Sequence, residues 1–339
     1  MTKSQIMDTE IQLDHRKSQQ LPQVLVLKPP PVLTVIGEHS FSSPKFNFLK
    51  AWESPLPLHQ FLSTYAHSVQ AILCSGYSPV NEELIRQLPS LRLVVTASAG
   101  INHIDLSACW RHGIAVTNAG SVFSDDGADA AIGLLIAVLR KISAADRYVR
   151  RGLWAKEGDF RLGSKLGGKR VGIVGLGGIG SEVAKRIEAF GCSISYNSRK
   201  QKASVSYPFF SDVCELAANS DILIICCGLT EQTHHLINRQ VLLALGKDGV
   251  VINVGRGAII DEKELVQCLV QGEIGGVGLD VFENEPDVPK ELLELDNVVL
   301  SPHRAVFTPE SFMDLCRLVV GNLEAFFSNK PLLSPVMAE

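Results

Sequence analysis

V-G-I-V-G-L-G-G-I-G-S-E-V-A-K-R-I-E-A-F, Val171 to Phe190, decides the fold. Gly175, Gly177 and Gly180 fall at the spacing G-x-G-x-x-G, with Leu176, Gly178 and Ile179 between and beside them. The apolar run before the glycines reads as a buried strand, and the segment after them as a helix with one apolar face. Gly175 permits a tight turn, Gly177 lets the backbone approach a pyrophosphate, and Gly180 lets the helix lie close on the strand. Free N–H groups at the helix start then hold phosphate oxygens. The stretch predicts a dinucleotide-binding βα unit. The bland alternative is a glycine-rich turn with no ligand.

Outward from this unit, strand signals recur at Arg170–Val174, Ser193–Tyr196, Ile222–Cys226, Val250–Val254, Gly276–Leu279 and Val298–Leu300, with helices between most of them. That rhythm predicts an α/β protein with a Rossmann-type, doubly wound parallel sheet and ligands at the carboxyl ends of its strands. Upstream, Val24–Leu27, Ala71–Cys74 and Leu93–Thr96 read as further strands, the first broken by Pro29-Pro30-Pro31, with a helix from Asn81 to Leu88. Asp125 to Val149 reads as one long helix, too apolar for an ordinary surface helix and so suited to a domain or subunit boundary. A last helix, Pro309 to Phe327, is expected to fold back on the first domain. The chain has 339 residues, more than one core holds, so two domains are expected.

Composition removes whole classes. Hydrophobic residues make up 46% and charged residues 20%, which excludes wholesale disorder. Net charge is -4 with no long basic block, so no nucleic-acid partner is expected. No apolar run reaches the roughly 18–20 residues that span a bilayer. Residues 1–21 are polar, without periodicity, and read as a disordered tail with no secretory h-region. The final Met337-Ala338-Glu339 is not a peroxisomal signal. Eight cysteines without a C-x-x-C pair read as reduced core thiols of a cytoplasmic protein.

Two further groups carry chemistry. The second strand runs into Asn197-Ser198-Arg199-Lys200, where an NAD-binding fold usually places a carboxylate on the ribose hydroxyls. Without that acid, Arg199 and Lys200 suit a 2′-phosphate and Ser198 can donate to it, so NADPH/NADP+ is expected, with NADH the weaker alternative. Arg256, Glu285 and His303 each stand just beyond a strand end, in N-V-G-R-G, F-E-N-E-P and S-P-H. Reduction of a 2-keto acid needs hydride at the carbonyl carbon and a proton at its oxygen. A histidine, with an ordinary pKa near 6.5, suits the proton transfer. Glu285 would orient His303 and favour imidazolium, and Arg256 would grip the substrate carboxylate.

With these residues in view, the sequence resembles the D-isomer-specific 2-hydroxyacid dehydrogenases from about Val69 to Leu333. The resemblance rests on S-A-G-I-N-H-I-D-L (98–106), V-T-N-A-G (116–120), D-D-G-A-D-A-A-I-G-L (125–134), the glycine motif, N-V-G-R-G, G-L-D-V-F-E-N-E-P and S-P-H. Within the family it is most similar to plant glyoxylate/hydroxypyruvate and hydroxyphenylpyruvate reductases, around S-Y-N-S-R-K and F-E-N-E-P. The resemblance implies Arg256, Glu285 and His303 as the catalytic set and backbone N–H groups of Ser98-Ala99-Gly100 as the carboxylate loop. It also implies Asp280 as the nicotinamide-side acid, and further cofactor contacts at Cys227, Thr233 and Val254. Residues 22–122 and 307–339 are then a flavodoxin-like lid that binds substrate together with Arg256 and His303. Residues 123–306 form the NADP-binding domain, and a homodimer is built on the long helix.

The chain departs from the family pattern at Arg304-Ala305-Val306-Phe307, which could bring a second cation to the pocket. Cys227-Gly228-Leu229-Thr230 stands where Cys-Pro-Leu-Thr is usual, which predicts a looser loop. Gly127 deviates in the helix entry, at a cost of about 1 kcal/mol in helix propensity. His103, His234 and His235 have no acid at useful linear spacing and read as loop or surface residues. Glu283, Glu285 and Asp287 read as a solvated acidic loop, with no metal. Trp154 suits interface packing or contact with an aromatic substrate in a neighbouring site. The alternatives are a dinucleotide-sensing protein of the corepressor type and an enzyme of NAD-dependent D-2-hydroxyacid oxidation. The Ser198-Arg199-Lys200 loop argues against both, since both use NAD(H).

Overall fold

Strands whose every residue is apolar belong in a parallel sheet covered by helices on both faces. The computed structural model describes residues 21–29, 45–76 and 78–337 and divides the chain into two units. Unit one comprises Met1–Gly120 and Met313–Glu339, unit two Ser121–Phe312. In unit one, β1 (Gln23–Val26), β2 (Asn47–Lys50), β3 (Ala71–Cys74), β4 (Leu93–Thr96) and β5 (Ala115–Thr117) form a parallel sheet in the order β2-β1-β3-β4-β5. In unit two, β6 (Arg170–Val174), β7 (Ser193–Asn197), β8 (Ile222–Ile225), β9 (Val250–Asn253), β10 (Gly276–Leu279) and β11 (Val298–Leu300) form a second, ordered β11-β10-β9-β8-β6-β7. Both start in the middle, step one way, then reverse, which is the flavodoxin-like order. In unit two the reversal falls between β6 and β8, so the glycine turn after β6 opens at the crevice where ligands collect.

Helices cover both faces of the second sheet. On one face the helix Ser124–Leu139 buries Ala128, Ala131 and Leu135 in a core with Ile173, Val183, Ala184 and Ile187. On the other, Leu216, Leu242 and Leu265 pack over Leu223, Ile225, Val251 and Val277. Gly127 explains itself here: a Cβ would lie 3.1 Å from Ile179 Cδ1, so its small size lets two helices approach. The propensity lost at that position is offset by burial, worth roughly 1.5–3 kcal/mol for each large apolar side chain.

The structure departs from the sequence reading in a few elements. Asp125 to Val149 is two helices, Ser124–Leu139 and Ile142–Arg150, because Lys141 adopts left-handed φ (55°) and Ser164 N–H takes the Leu139 carbonyl at 2.8 Å. The apolar spacing crosses this break unchanged, so periodicity alone does not reveal it. β2 and β5 escape sequence reading because N-F-L-K has polar residues at both ends and A-V-T has a single large apolar residue. Leu27, Cys226 and Val254 lie just beyond their strands, and Asn197 lies inside one. Residues 1–20 of the expected tail, with Pro30 and Pro31, lie outside the described residues.

All eight cysteines are free thiols. Burial pushes Cys74 up to about 12 and Cys316 up to about 11, so both are inert, protonated packing groups. Among the described residues no helix is long and apolar enough to cross a membrane.

Gly180 is the tightest helix-to-strand contact of the glycine motif, since a Cβ would lie 2.1 Å from the Gly175 carbonyl oxygen. Backbone cannot rotate away as a side chain can. Gly180→Ala is therefore expected to destabilise unit two by about 1–3 kcal/mol, a fall of roughly 3–10 °C in calorimetric melting temperature. An unchanged melting temperature would mean that helix and strand tolerate separation.

Candidate active site

The crevice is built from loops that leave the carboxyl ends of β6 to β11. After β6, Gly175 sits at φ 95° and donates its N–H to Asn197 O at 2.8 Å, and a Cβ there would meet Cys227 N at 2.6 Å. The helix Gly178–Ala189 begins with Gly177 as its cap, so no capping side chain competes for the first N–H groups. With Gly175 packed on Cys227 and open space beside Gly177, this turn at a helix N-terminus suits a pyrophosphate.

After β7, Arg199 and Lys200 are exposed, and the Ser198 hydroxyl donates to Lys200 O at 2.7 Å. That hydroxyl closes its own turn, so its proton is already committed. Sequence reading missed Lys202, whose N–H donates to the Tyr196 hydroxyl at 2.8 Å and whose ammonium donates to Leu176 O inside the glycine motif. After β8, the Thr233 hydroxyl donates to Gly228 O at 2.8 Å and accepts from Thr230 N–H at 2.7 Å. The loop expected to be loose is thus closed by Thr233. Val254 is buried in the core, its N–H on Ile225 O at 3.2 Å.

Arg256, Glu285 and His303 come from three neighbouring strands. Fully buried Asn253, at the end of β9, accepts Gly255 N–H at 3.0 Å and donates to Arg256 O at 2.9 Å, folding the turn that presents Arg256. Next to it, Gly257 lies so close to the following loop that a Cβ would sit 1.8 Å from the Phe282 carbonyl carbon. Glu285 Oε1 accepts Phe282 N–H at 3.1 Å, and Glu285 Oε2 lies 2.7 Å from His303 Nδ1. His303 has φ 52°, a conformation most residues avoid. It is held there by Asp280, which is 2% exposed. The Asp280 carbonyl accepts His303 N–H at 2.7 Å, and its carboxylate accepts Arg304 N–H at 2.8 Å and Ala305 N–H at 2.9 Å.

Burial works to raise the Glu285 carboxyl, but hydrogen bonds from His303 and Phe282 N–H and the charges of His303 and Arg256 outweigh it. Its pKa stays below the ordinary glutamate value, so the group is ionised and only accepts. His303 Nδ1 must then carry a proton, which leaves Nε2 as the atom that exchanges one with a bound molecule. Burial lowers the Arg256 pKa, opposed by Glu285, but a guanidinium starts so high that it stays charged.

In unit one, the loop Ser98-Ala99-Gly100 turns its carbonyls inward. Ser98 O accepts Ala119 N–H at 3.0 Å, Ala99 O accepts Asn118 Nδ2 at 3.0 Å, and Gly100 O accepts the Ser98 hydroxyl at 2.9 Å. His103 supports it from beneath, its Nε2 lying 3.0 Å from Thr96 Oγ1, which in turn meets Ser98 Oγ at 2.7 Å.

Other expectations need correction. His235 does have an acid, since Nε2 lies 2.9 Å from Glu283 Oε1 and Nδ1 lies 3.8 Å from Asp261 Oδ2. Those partners stand 48 and 26 residues away in sequence, beyond any linear-spacing rule. Glu283 and Glu285 are accordingly paired groups in an otherwise exposed loop. Arg304 lays its guanidinium over the Phe307 ring at 4.8 Å. Trp154 is 62% exposed.

Comparison with known proteins agrees with this architecture. The family description "D-isomer specific 2-hydroxyacid dehydrogenase, NAD binding domain" matches residues 132–305. A glyoxylate/hydroxypyruvate reductase of Arabidopsis thaliana is 60% identical over 319 residues, covering 94% of this chain and 98% of that protein. A hydroxyphenylpyruvate reductase of Plectranthus scutellarioides is 51% identical over 86% of this chain and 93% of its own. Among solved structures, an NADPH-dependent glyoxylate/hydroxypyruvate reductase from Sinorhizobium meliloti, in complex with NADP and malonate, superposes with a TM-score of 0.84 at 36% identity. That match covers 93% of this chain and 96% of the other.

The depressed Glu285 carboxyl has a signed consequence for stability. Its contribution is complete above the unfolded glutamate pKa of about 4.3 and is lost as pH falls through the lower folded value. Glu285→Gln, which cannot titrate, is expected to lose less stability than the wild type on acidification below about pH 4.3. Chemical denaturation across that range measures it, and parallel losses in both proteins would refute the pairing.

Proposed function

The chain belongs to the D-isomer-specific 2-hydroxyacid dehydrogenase family, and we propose that it is an NADPH-dependent reductase of small 2-keto acids such as glyoxylate, hydroxypyruvate or hydroxyphenylpyruvate. The observation that carries this reading is the 2.7 Å contact between His303 Nδ1 and an ionised Glu285. It makes Nε2 the proton-exchanging atom and fixes the ring for the transfer. NADPH, when bound, supplies the hydride for C2. The glycine turn Gly175–Gly180 would hold its pyrophosphate, and Arg199 and Lys200 would pair with its 2′-phosphate, on a turn that Ser198 shapes.

His303 gives its proton to the keto oxygen, and Glu285 holds the ring for the transfer. Arg256 grips the substrate carboxylate and steadies charge on the oxygen. In unit one, the loop Ser98-Ala99-Gly100, whose carbonyls are engaged within that unit, offers its N–H groups as carboxylate donors. Asp280 keeps His303 in place, while Cys227, Thr233 and Val254 shape the wall beside the cofactor. In the reverse direction His303 would accept the proton while the hydride passed from C2 to NADP+, oxidising the 2-hydroxy acid.

The same reading assigns residues 22–122 and 307–339 to a substrate-binding lid and 123–306 to the NADP-binding domain. A homodimer is supported by the exposed apolar residues Ile142, Val149, Trp154 and Leu162 on one continuous segment. Eight free thiols are compatible with a cytoplasmic setting.

The direct test is NADPH oxidation with glyoxylate, hydroxypyruvate, 4-hydroxyphenylpyruvate and pyruvate in parallel, repeated with NADH. Turnover of at least one keto acid, faster with NADPH, is expected. Tight dinucleotide binding without turnover of any substrate would move the assignment to a sensor. His303→Ala is expected to lower turnover by about 100-fold or more while NADPH binding is kept. Arg199→Ala should raise KM for NADPH and spare that for NADH, and an equal change in both would remove the phosphate assignment.

A further inference from the structure

The loops after β8, β9 and β10 bring a second group of chemically active side chains together. His235 Nε2 lies 2.9 Å from Glu283 Oε1. The His234 ring stacks on that of His235, with centroids 4.0 Å apart. One donor atom from each of His234, His235 and Glu283 lies within 4.8 Å of the other two. We propose that these three residues form a binding site for a divalent transition-metal ion, zinc in the first instance.

The distances suit such an ion. Ligand atoms sit about 2.0–2.2 Å from tetrahedral zinc, which places them roughly 3.3 Å from one another. His235 and Glu283 already stand near that separation, and exposed His234 closes the remainder by side-chain rotation. Two imidazoles and one carboxylate, with a fourth position for water, are a zinc ligand set. Magnesium and calcium prefer oxygen alone.

The backbone around these side chains is pinned, so the site is built before any ion arrives. His235 adopts φ 51° with its N–H on Ala258 O at 2.9 Å, and His234 N–H donates to Thr230 O at 3.0 Å. Glu283 N–H donates to the buried Glu262 carboxylate at 3.2 Å. An outer partner is present too. Asp261 Oδ2 stands 3.8 Å from His235 Nδ1, close enough to become its hydrogen-bond partner by a small side-chain movement when Nε2 binds the ion. Metal binding at Nε2 needs that nitrogen unprotonated, so a proton held between Nε2 and Glu283 is released to solvent as the metal takes its place. Neither histidine belongs to the proposed catalytic set, so the site stands independently of the proposed reaction.

The test is titration of the untagged protein with Co2+, read by its visible absorption, followed by displacement with Zn2+ and calorimetric zinc titration. One Co2+ per chain with tetrahedral bands, displaced by Zn2+, is expected. His234→Ala and Glu283→Gln should each weaken zinc binding at least ~10-fold, and Asp261→Asn by a smaller factor. His234→Ala removes an exposed ring, so its fold is kept, which circular dichroism checks. Absence of a saturable cobalt spectrum, or zinc affinity unchanged in either His234→Ala or Glu283→Gln, overturns the site.

Discussion

Asp280 stands just beyond β10, the neighbour of edge strand β11, with its backbone carbonyl and its carboxylate both facing the loop after β11, and that loop closes on it through three N–H groups. The arrangement forces a histidine into a left-handed conformation and keeps it there. A buried carboxylate without partners is expensive, and two backbone donors remove most of that cost. The constraint is therefore mutual. The acid needs the loop for solvation, and the loop needs the acid to hold its conformation. His303, and through it the pairing with Glu285, depends on this one interaction.

Close backbone approach is the second condition. Gly257 lets the loop that carries Arg256 lie against the loop that carries Glu285, and Gly175 lets the glycine turn lie against Cys227. A side chain at either position would wedge neighbouring strand ends apart. Since parallel strands deliver their loops side by side at one end of the sheet, small residues at those ends decide how near the functional groups can come. The reading of His303 Nε2 as the proton donor rests on that nearness, because only an ionised Glu285 at 2.7 Å assigns the other ring nitrogen its proton.

Electrostatics across the crevice are graded. The cations Arg199 and Lys200 stand exposed, where pairing with a phosphate is screened and reversible, while Arg256 is half-buried beside Glu285 and exerts a stronger local field. Lys202 adds a third cation at the glycine motif itself. Polar side chains that look available in sequence are partly committed in the fold. Ser198 and Thr233 spend their hydroxyls on their own turns.

Much was legible in the sequence because it rests on local physics. A strand, three spaced glycines and a helix state their fold in twenty consecutive residues, and the strand signals downstream place Arg256, Glu285 and His303 at strand ends. The doubly wound sheet, the family and the three candidate catalytic positions follow from such patterns. The break at Lys141 and the strands β2 and β5 were not legible, since periodicity continues across the first and the others carry too few large apolar residues to register. Nor were Asp280 as the holder of the histidine loop, Asn253 as the folder of the arginine turn, or the meeting of His235 with Glu283. Each is a contact between loops that chain order keeps apart and parallel strand order brings together. Local sequence determines which elements form and where they end, whereas contacts between strand ends exist only once the sheet has set their order.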